Sequence, residues 1–326
     1  MAGWGLTLKF PRPAITRFIA SVAPEETFSQ LLESCAGVLK EDRELAPVLA
    51  ACLPSGVLEA LLIRFCPVEH YSELLACAEQ EMIVRGARWD HVGAVVSHAN
   101  RLRQSDHPLG VLPLYLTQIE FELNQYARWY GPRGSGVSIP FGPSDSSKPL
   151  PLNSELTALT ESPDPANRER MQAAVKNWHV KSAGQFEVRE FQSNEPITSE
   201  HLSSTLLHAL DLDCLYNAHK DEIRGELIPP HRAMNVLFAA AANGGAYTSG
   251  LGGAYGRLGA WQSMVGLVNA PESDTIAAIA DRAEHCHWLY FVATSDWFYQ
   301  VCWDFGLAVV RPDGMSLAIL AATDTD

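Results

Sequence analysis

Five side chains are of types that move protons or hold anions: His231, Tyr255, Arg257, Asp296 and Asp304. Tyr255 and Arg257 belong to a glycine-rich stretch, Asn243–Leu267, in which Gly-Gly-Ala-Tyr occurs twice, at Gly244–Tyr247 and Gly252–Tyr255. Glycine admits positive φ and close approach, so the run predicts a tight loop that feeds a helix beyond Gly256. A loop of that kind leaves backbone N–H groups free at a helix start, where an anion or polar ligand can sit. Arg257 there can clamp a carboxylate or phosphate through two parallel N–H bonds. His231 follows Pro229-Pro230, and Asn235, four residues on, shares its helix face. Asp304 stands in an aromatic run with Asp296 upstream; burial would raise its pKa and suit it to acid or base work. This constellation reads as cofactor-independent acid–base chemistry. His231 is the base, Tyr255 the donor, Arg257 the anion clamp, and Asp296 and Asp304 the acids. Tyr247, Asn235, Trp261 and Trp297 would contact the substrate.

Each feature has a plainer structural reading. The glycines also suit close helix packing with the tyrosines in the core. Asp304 also suits an outward strand position or a bulge, and His231 with Asn235 suits a solvated helix start. Other chemistries lack their motifs. Gly250-Leu-Gly252-Gly-Ala puts Tyr255 where a dinucleotide fingerprint needs its third glycine, and no Gly-Lys-Ser/Thr loop is present. His285-Cys-His287 offers two imidazoles but no Cys-x-x-Cys or His-Glu-x-x-His to complete a zinc site. Asp304-Phe-Gly306 comes without the other kinase motifs, and Ser249 has no nucleophile elbow. The expectation is therefore no nucleotide or metal cofactor.

The 326 residues are 47% apolar and 19% charged, with a net charge of −14. That composition builds a sizeable core, and that charge repels nucleic acid and anionic membranes. The seven cysteines are widely spaced and mostly set in apolar runs, the pattern of reduced thiols in a cytoplasmic protein. No apolar run is long enough for a membrane span. The partners expected are a small-molecule ligand or another protein.

The supporting elements follow from periodicity. From about Ala14 to Trp129 the pattern is helical: a helix bearing Phe28 to Leu39, then Glu44–Leu53, Gly56–Cys66, a helix from near Pro67 to Gly86, Trp89–Leu102 and Leu112–Tyr130. Proline and glycine then break the pattern over 131–165, a linker or lid in which Val137–Phe141 suits a short edge strand. Helices follow at Asn167–Trp178, from Thr198 to Leu210, at His231–Ala242 and at Ser273–Glu284. Strands are expected at Phe186–Phe191, His287–Ala293, Trp297–Val310 and Met315–Ala322, with a hairpin turn at Arg311-Pro-Asp-Gly314.

Gly253-Ala-Tyr-Gly-Arg257 with Trp261, Trp297-Phe-Tyr-Gln-Val301 with Trp303-Asp304, and the ending from Arg311 resemble an uncharacterised family of actinobacterial genomes. That resemblance implies membership without chemistry. The fold class expected is α+β. An N-terminal all-α helical stack or short solenoid over 1–130 precedes the 131–165 segment and an α+β domain over 166–326 with a small, largely antiparallel sheet. The function expected is that of a small-molecule enzyme working in a C-terminal pocket. The alternative is a helical-repeat interaction or regulatory protein without catalysis.

Overall fold

The computed structural model describes residues 45–66, 72–126, 149–152, 158–181, 183–246, 250–299 and 303–324. Tyr247, the helix expected across Phe28–Leu39 and the strand expected at Val137–Phe141 lie outside these residues. Among the described residues, four helices come first: α1 (Leu45–Cys52), α2 (Ser55–Phe65), α3 (Ser72–Val84) and α4 (Gly93–Gln104). A single turn, α5 (Leu123–Tyr126), is followed by β1 (Leu159–Glu161), α6 (Pro165–Met171), α7 (Lys176–Lys181), β2 (Gln185–Ser193) and α8 (Ser204–Ala209). Then come β3 (Ile223–Ile228), α9 (Pro230–Asn243), α10 (Gly252–Leu267), α11 (Ile276–Glu284), β4 (His287–Ala293), β5 (Trp303–Val310) and β6 (Ser316–Asp324). The protein is α+β. Its strands form one antiparallel six-stranded sheet in the order β1-β2-β6-β5-β4-β3.

Alternation along the strands sorts the core into two parts. Phe305, Leu307, Val309, Ala318, Leu320 and Ala322 face α9 and α10, in one hydrophobic cluster with the buried residues of α1–α4. Ala308, Val310, Leu317, Ile319 and Ala321 face the other way, onto α8 and the turns around Leu212–Ala218. Helical and turn segments therefore cover both sheet faces. Trp178 of α7 wedges between sheet and helices. Its Nε1 donates to Ala240 O at 3.0 Å, and its ring meets Trp303 and Phe305 edge-on.

At the centre lies α10, buried over most of its circumference with only Gln262 exposed, as befits a helix without a continuous polar face. Its glycines set the spacing. A Cβ at Gly256 would fall 2.6 Å from Ala242 Cβ of α9, and one at Gly266 would fall 2.6 Å from Met171 N of α6. The helix also begins earlier than the glycine pattern suggests, at Gly252, which takes a φ of +71°. The next residue, Gly253, donates its N–H to Glu81 Oε2 at 3.0 Å, so a carboxylate holds the first turn. The second Gly-Gly-Ala-Tyr is thus helical and not part of the loop.

Three other expectations change. The helix expected over Leu112–Tyr130 is irregular up to Leu123, because Pro113 and the side chains of Arg257 and Glu120 take its backbone groups. Residues Ser295–Phe298 wind around Ser295 Oγ, which accepts from Trp297 N (3.3 Å) and Phe298 N (3.1 Å), so β5 starts at Trp303. The edge strands β1 and β3 were not anticipated: one is three residues long and the other alternates only weakly. The Arg311–Gly314 turn stands as expected, with Gly314 at φ +63° and Asp313 Oδ1 accepting from Met315 N and Ser316 N.

The glycine spacing is testable. Gly256→Ala should lower stability in urea by about 1–3 kcal/mol, since backbone must move to admit the methyl group. Gly259→Ala, whose nearest neighbours would lie at 3.4 and 3.5 Å, should be neutral or slightly stabilising through helix propensity. Equal effects at the two positions would refute the packing argument.

Candidate functional site

Helix α3 buries Glu79, Gln80 and Glu81 in a sequence that is apolar from Leu74 to Ala78 and again from Met82 to Val84. Carboxylates are almost never buried unless paired, so each must find partners elsewhere in the chain. Glu81 binds Arg85 through Nε (3.1 Å) and Nη2 (3.0 Å), besides Gly253 N. Arg85 in turn reaches Leu53 O (2.7 Å) and Ala51 O (3.0 Å), satisfying carbonyls at the end of α1. Glu79 Oε2 faces His98 Nδ1 at 3.1 Å, and Gln80 Nε2 donates to Glu79 Oε1 at 3.3 Å.

Gln80 leads to Arg257. The guanidinium has five N–H donors, and all five are used. Nε donates to Glu120 Oε1 (2.6 Å), Nη1 to Gln80 Oε1 (2.6 Å) and Pro113 O (2.9 Å), and Nη2 to Tyr115 O (2.8 Å) and Glu120 Oε2 (2.9 Å). Glu120 is as fully engaged, for Oε1 also accepts from Trp261 Nε1 (2.8 Å) and Oε2 from Thr117 N (2.8 Å). Both side chains are 0% exposed. Burial alone would push the Glu120 carboxyl up, but the Arg257 charge and these hydrogen bonds outweigh it and hold it below its ordinary value.

The segment pinned by this pair carries other polar groups to either side. At one end, His107 Nε2 donates to Glu73 Oε2 (3.0 Å), and Tyr255 OH donates to Glu73 Oε1 (2.7 Å). Leu109 N donates to His107 Nδ1 at 3.2 Å, so both imidazole nitrogens are occupied. Burial raises the Glu73 pKa, yet the bonds from His107 and Tyr255 bring it below the ordinary carboxylate value. At the other end, Asn235 Nδ2 donates to Glu122 Oε2 at 2.6 Å, and His231 Nε2 lies 3.9 Å from the same oxygen. The Phe121 ring stands 4.9 Å from the His231 ring. His231 and Glu122 are 26% and 27% exposed, so this end of the segment meets solvent.

The structure thus gathers His231, Asn235, Arg257 and Trp261 around residues 117–122, and seats Tyr255 on Glu73 of α3, beside His107. Asp296, Trp297 and Asp304 lie apart from them. Asp296 is exposed and accepts from Asn217 Nδ2 at 2.6 Å. Trp297 packs edge-on to Phe298 at 4.9 Å. Asp304 Oδ1 accepts from Thr323 Oγ1, its partner in the strand register, on the sheet face turned away from α9 and α10. Glu73, His107, Glu120 and Glu122 were missed in the sequence. The usable signal was in α3: an apolar helix crowded with acids needs partners that its own neighbours do not supply.

The fold and this site define an α+β protein whose central helix is locked by a buried ion pair to an irregular segment ending in a half-exposed His–Glu pair. By sequence the chain belongs to a family of unknown function, DUF6183, whose model matches residues 9–326. No curated protein and no solved structure matches it.

Breaking the ion pair should be costly. Glu120→Gln or Arg257→Ala should destabilise the fold by about 3–5 kcal/mol, because the partner left behind is an uncompensated buried charge. Folding lowers the Glu120 pKa, so its contribution is full above the ordinary value of 4.5 and fades as pH falls through the folded value. Urea titrations of wild type and Glu120→Gln should therefore differ most near neutrality and converge in acid. A constant difference across that range would contradict the assignment.

Proposed function

We propose that the protein binds a small polar molecule where α9 begins and moves a proton on it through His231, without a nucleotide or metal cofactor. The observation that carries this reading is the convergence of His231 and Asn235, one helical turn apart, on the carboxylate of Glu122. Imidazole is the side chain that gives and takes protons near neutral pH, and a neighbouring carboxylate orients it. Glu122 Oε1 and His231 Nδ1 have no hydrogen bond from a described residue, so both have bonding capacity to offer a ligand. Arg257 and Trp261 belong to this reading as supports that hold Glu120, and through it Glu122, in place. Thiol chemistry fits less well: burial pushes Cys66 and Cys286 up to about 12, far from a reactive thiolate.

A second reading, a helical stack gripping a protein partner, draws support from the exposed Ile63 of α2 and the exposed Val111. It has less to stand on, since α3, the helix the others gather round, spends its inner face on α10. A reducing compartment such as the cytoplasm suits the buried free thiols among the described residues, Cys66, Cys77, Cys214 and Cys286. No helix among the described residues is long and apolar enough to cross a membrane.

The test is turnover. Wild-type protein incubated with a small-molecule extract, followed by mass spectrometry, should deplete a defined compound. His231→Gln should slow that depletion by about 100-fold or more while the melting temperature stays within about 2 °C. Depletion unaffected by the substitution would remove His231 from the chemistry.

A further inference from the structure

The charges around Glu122 point to the class of ligand. Arg257, the buried cation of α10 that pairs with Glu120 in the same segment, has every donor engaged and none to offer an anion. Arg232, next to His231 in α9, is paired with Glu226 at 3.0 Å. No lysine or arginine among the described residues pairs with Glu122, and His231 is the one basic side chain among them within 4 Å of its carboxylate. An incoming carboxylate or phosphate would meet repulsion there; a cation would meet attraction, reinforced by the overall charge of −14.

Two neighbours sharpen the choice. Asn235 is 2% exposed, and its amide orientation is fixed, because the Glu122 carboxylate can only accept and must take the Nδ2 donor. Its Oδ1 therefore presents a buried acceptor with no donor among the described residues. Such an acceptor is costly to leave unmet. Phe121, beside His231, exposes 55% of its surface, unusual for a ring that size. A carboxylate, an unmet carbonyl acceptor and an open aromatic face are the three groups that receive an ammonium: one by charge, one by hydrogen bond and one by its quadrupole.

Building on the reading of this corner as a ligand site, we infer that its ligand carries a primary amine, bound as the ammonium between Glu122, Asn235 Oδ1 and the Phe121 ring. His231 stands where it can take a proton from that ammonium, the step that frees an amine lone pair.

The experiment uses the full chain with n-butylamine, n-butanol and butyrate as probes at millimolar concentration, read by thermal shift and ligand-observed NMR. Butylamine should raise the melting temperature in a concentration-dependent way, with butanol and butyrate bound at least about ten-fold more weakly. Glu122→Gln retains the acceptor for Asn235 and should weaken butylamine at least about ten-fold. Phe121→Leu should weaken it about two- to five-fold, the size of an exposed cation–π contact. Butanol binding as well as butylamine, with both lost in Glu122→Gln, would overturn the amine inference and leave the small-molecule site standing. Amine affinity unchanged in both variants would overturn it as well. Binding by none of the three probes would sink both the inference and the site.

Discussion

Everything near the candidate site hangs on one buried ion pair, Arg257 with Glu120. Two charges taken out of water are tolerable only when their remaining hydrogen-bonding capacity is met, and here it is met on both sides. The donors and acceptors come from three places remote in sequence: α3, the 112–123 segment and α10. The pair therefore acts less as a source of net stability than as a specification of path. Only one course of the 112–123 backbone presents Pro113 O and Tyr115 O to the guanidinium while Thr117 N reaches the carboxylate. That course carries Phe121 and Glu122 to the start of α9.

The two copies of Gly-Gly-Ala-Tyr serve different physical ends. The first meets the end of the sheet, where Ala246 N donates to Asp324 Oδ2 at 2.7 Å and a side chain at Gly245 would collide with that carboxylate. The second opens α10 on Glu81. Between them, Gly250 lies so near Ala242 O that a Cβ would fall 2.0 Å away. The stretch thus couples the last strand, α9 and α10 through backbone contacts that any larger residue would block. At its far end α10 is held again, since Arg311 and Asn167 both donate to Gly266 O and both reach Glu190 Oε1.

Much of the fold was legible from local pattern. The apolar run of β4, the Pro-Pro start of α9 and the Asp-Gly hairpin turn are local signals, and the structure keeps them. Leu112–Tyr130 was not legible, because its apolar spacing is helical while its backbone answers to an arginine 137 residues from Glu120. At the candidate site, the i, i+4 spacing foretold that His231 and Asn235 share a face. It could not foretell that Glu122 would be what they meet. Arg257 looked like an anion clamp, since nothing in its neighbourhood of glycines discloses a buried carboxylate waiting across the core.

The central claim is that an irregular segment is as firmly held as the helices it touches, and amide hydrogen exchange tests it most directly. Thr117 N–H, bound to Glu120 Oε2, should exchange as slowly as the amides in the middle of α10, opening only when the whole molecule unfolds. Exchange at Thr117 as fast as in an exposed loop, with α10 still protected, would show that the ion pair does not govern the segment and would contradict the account.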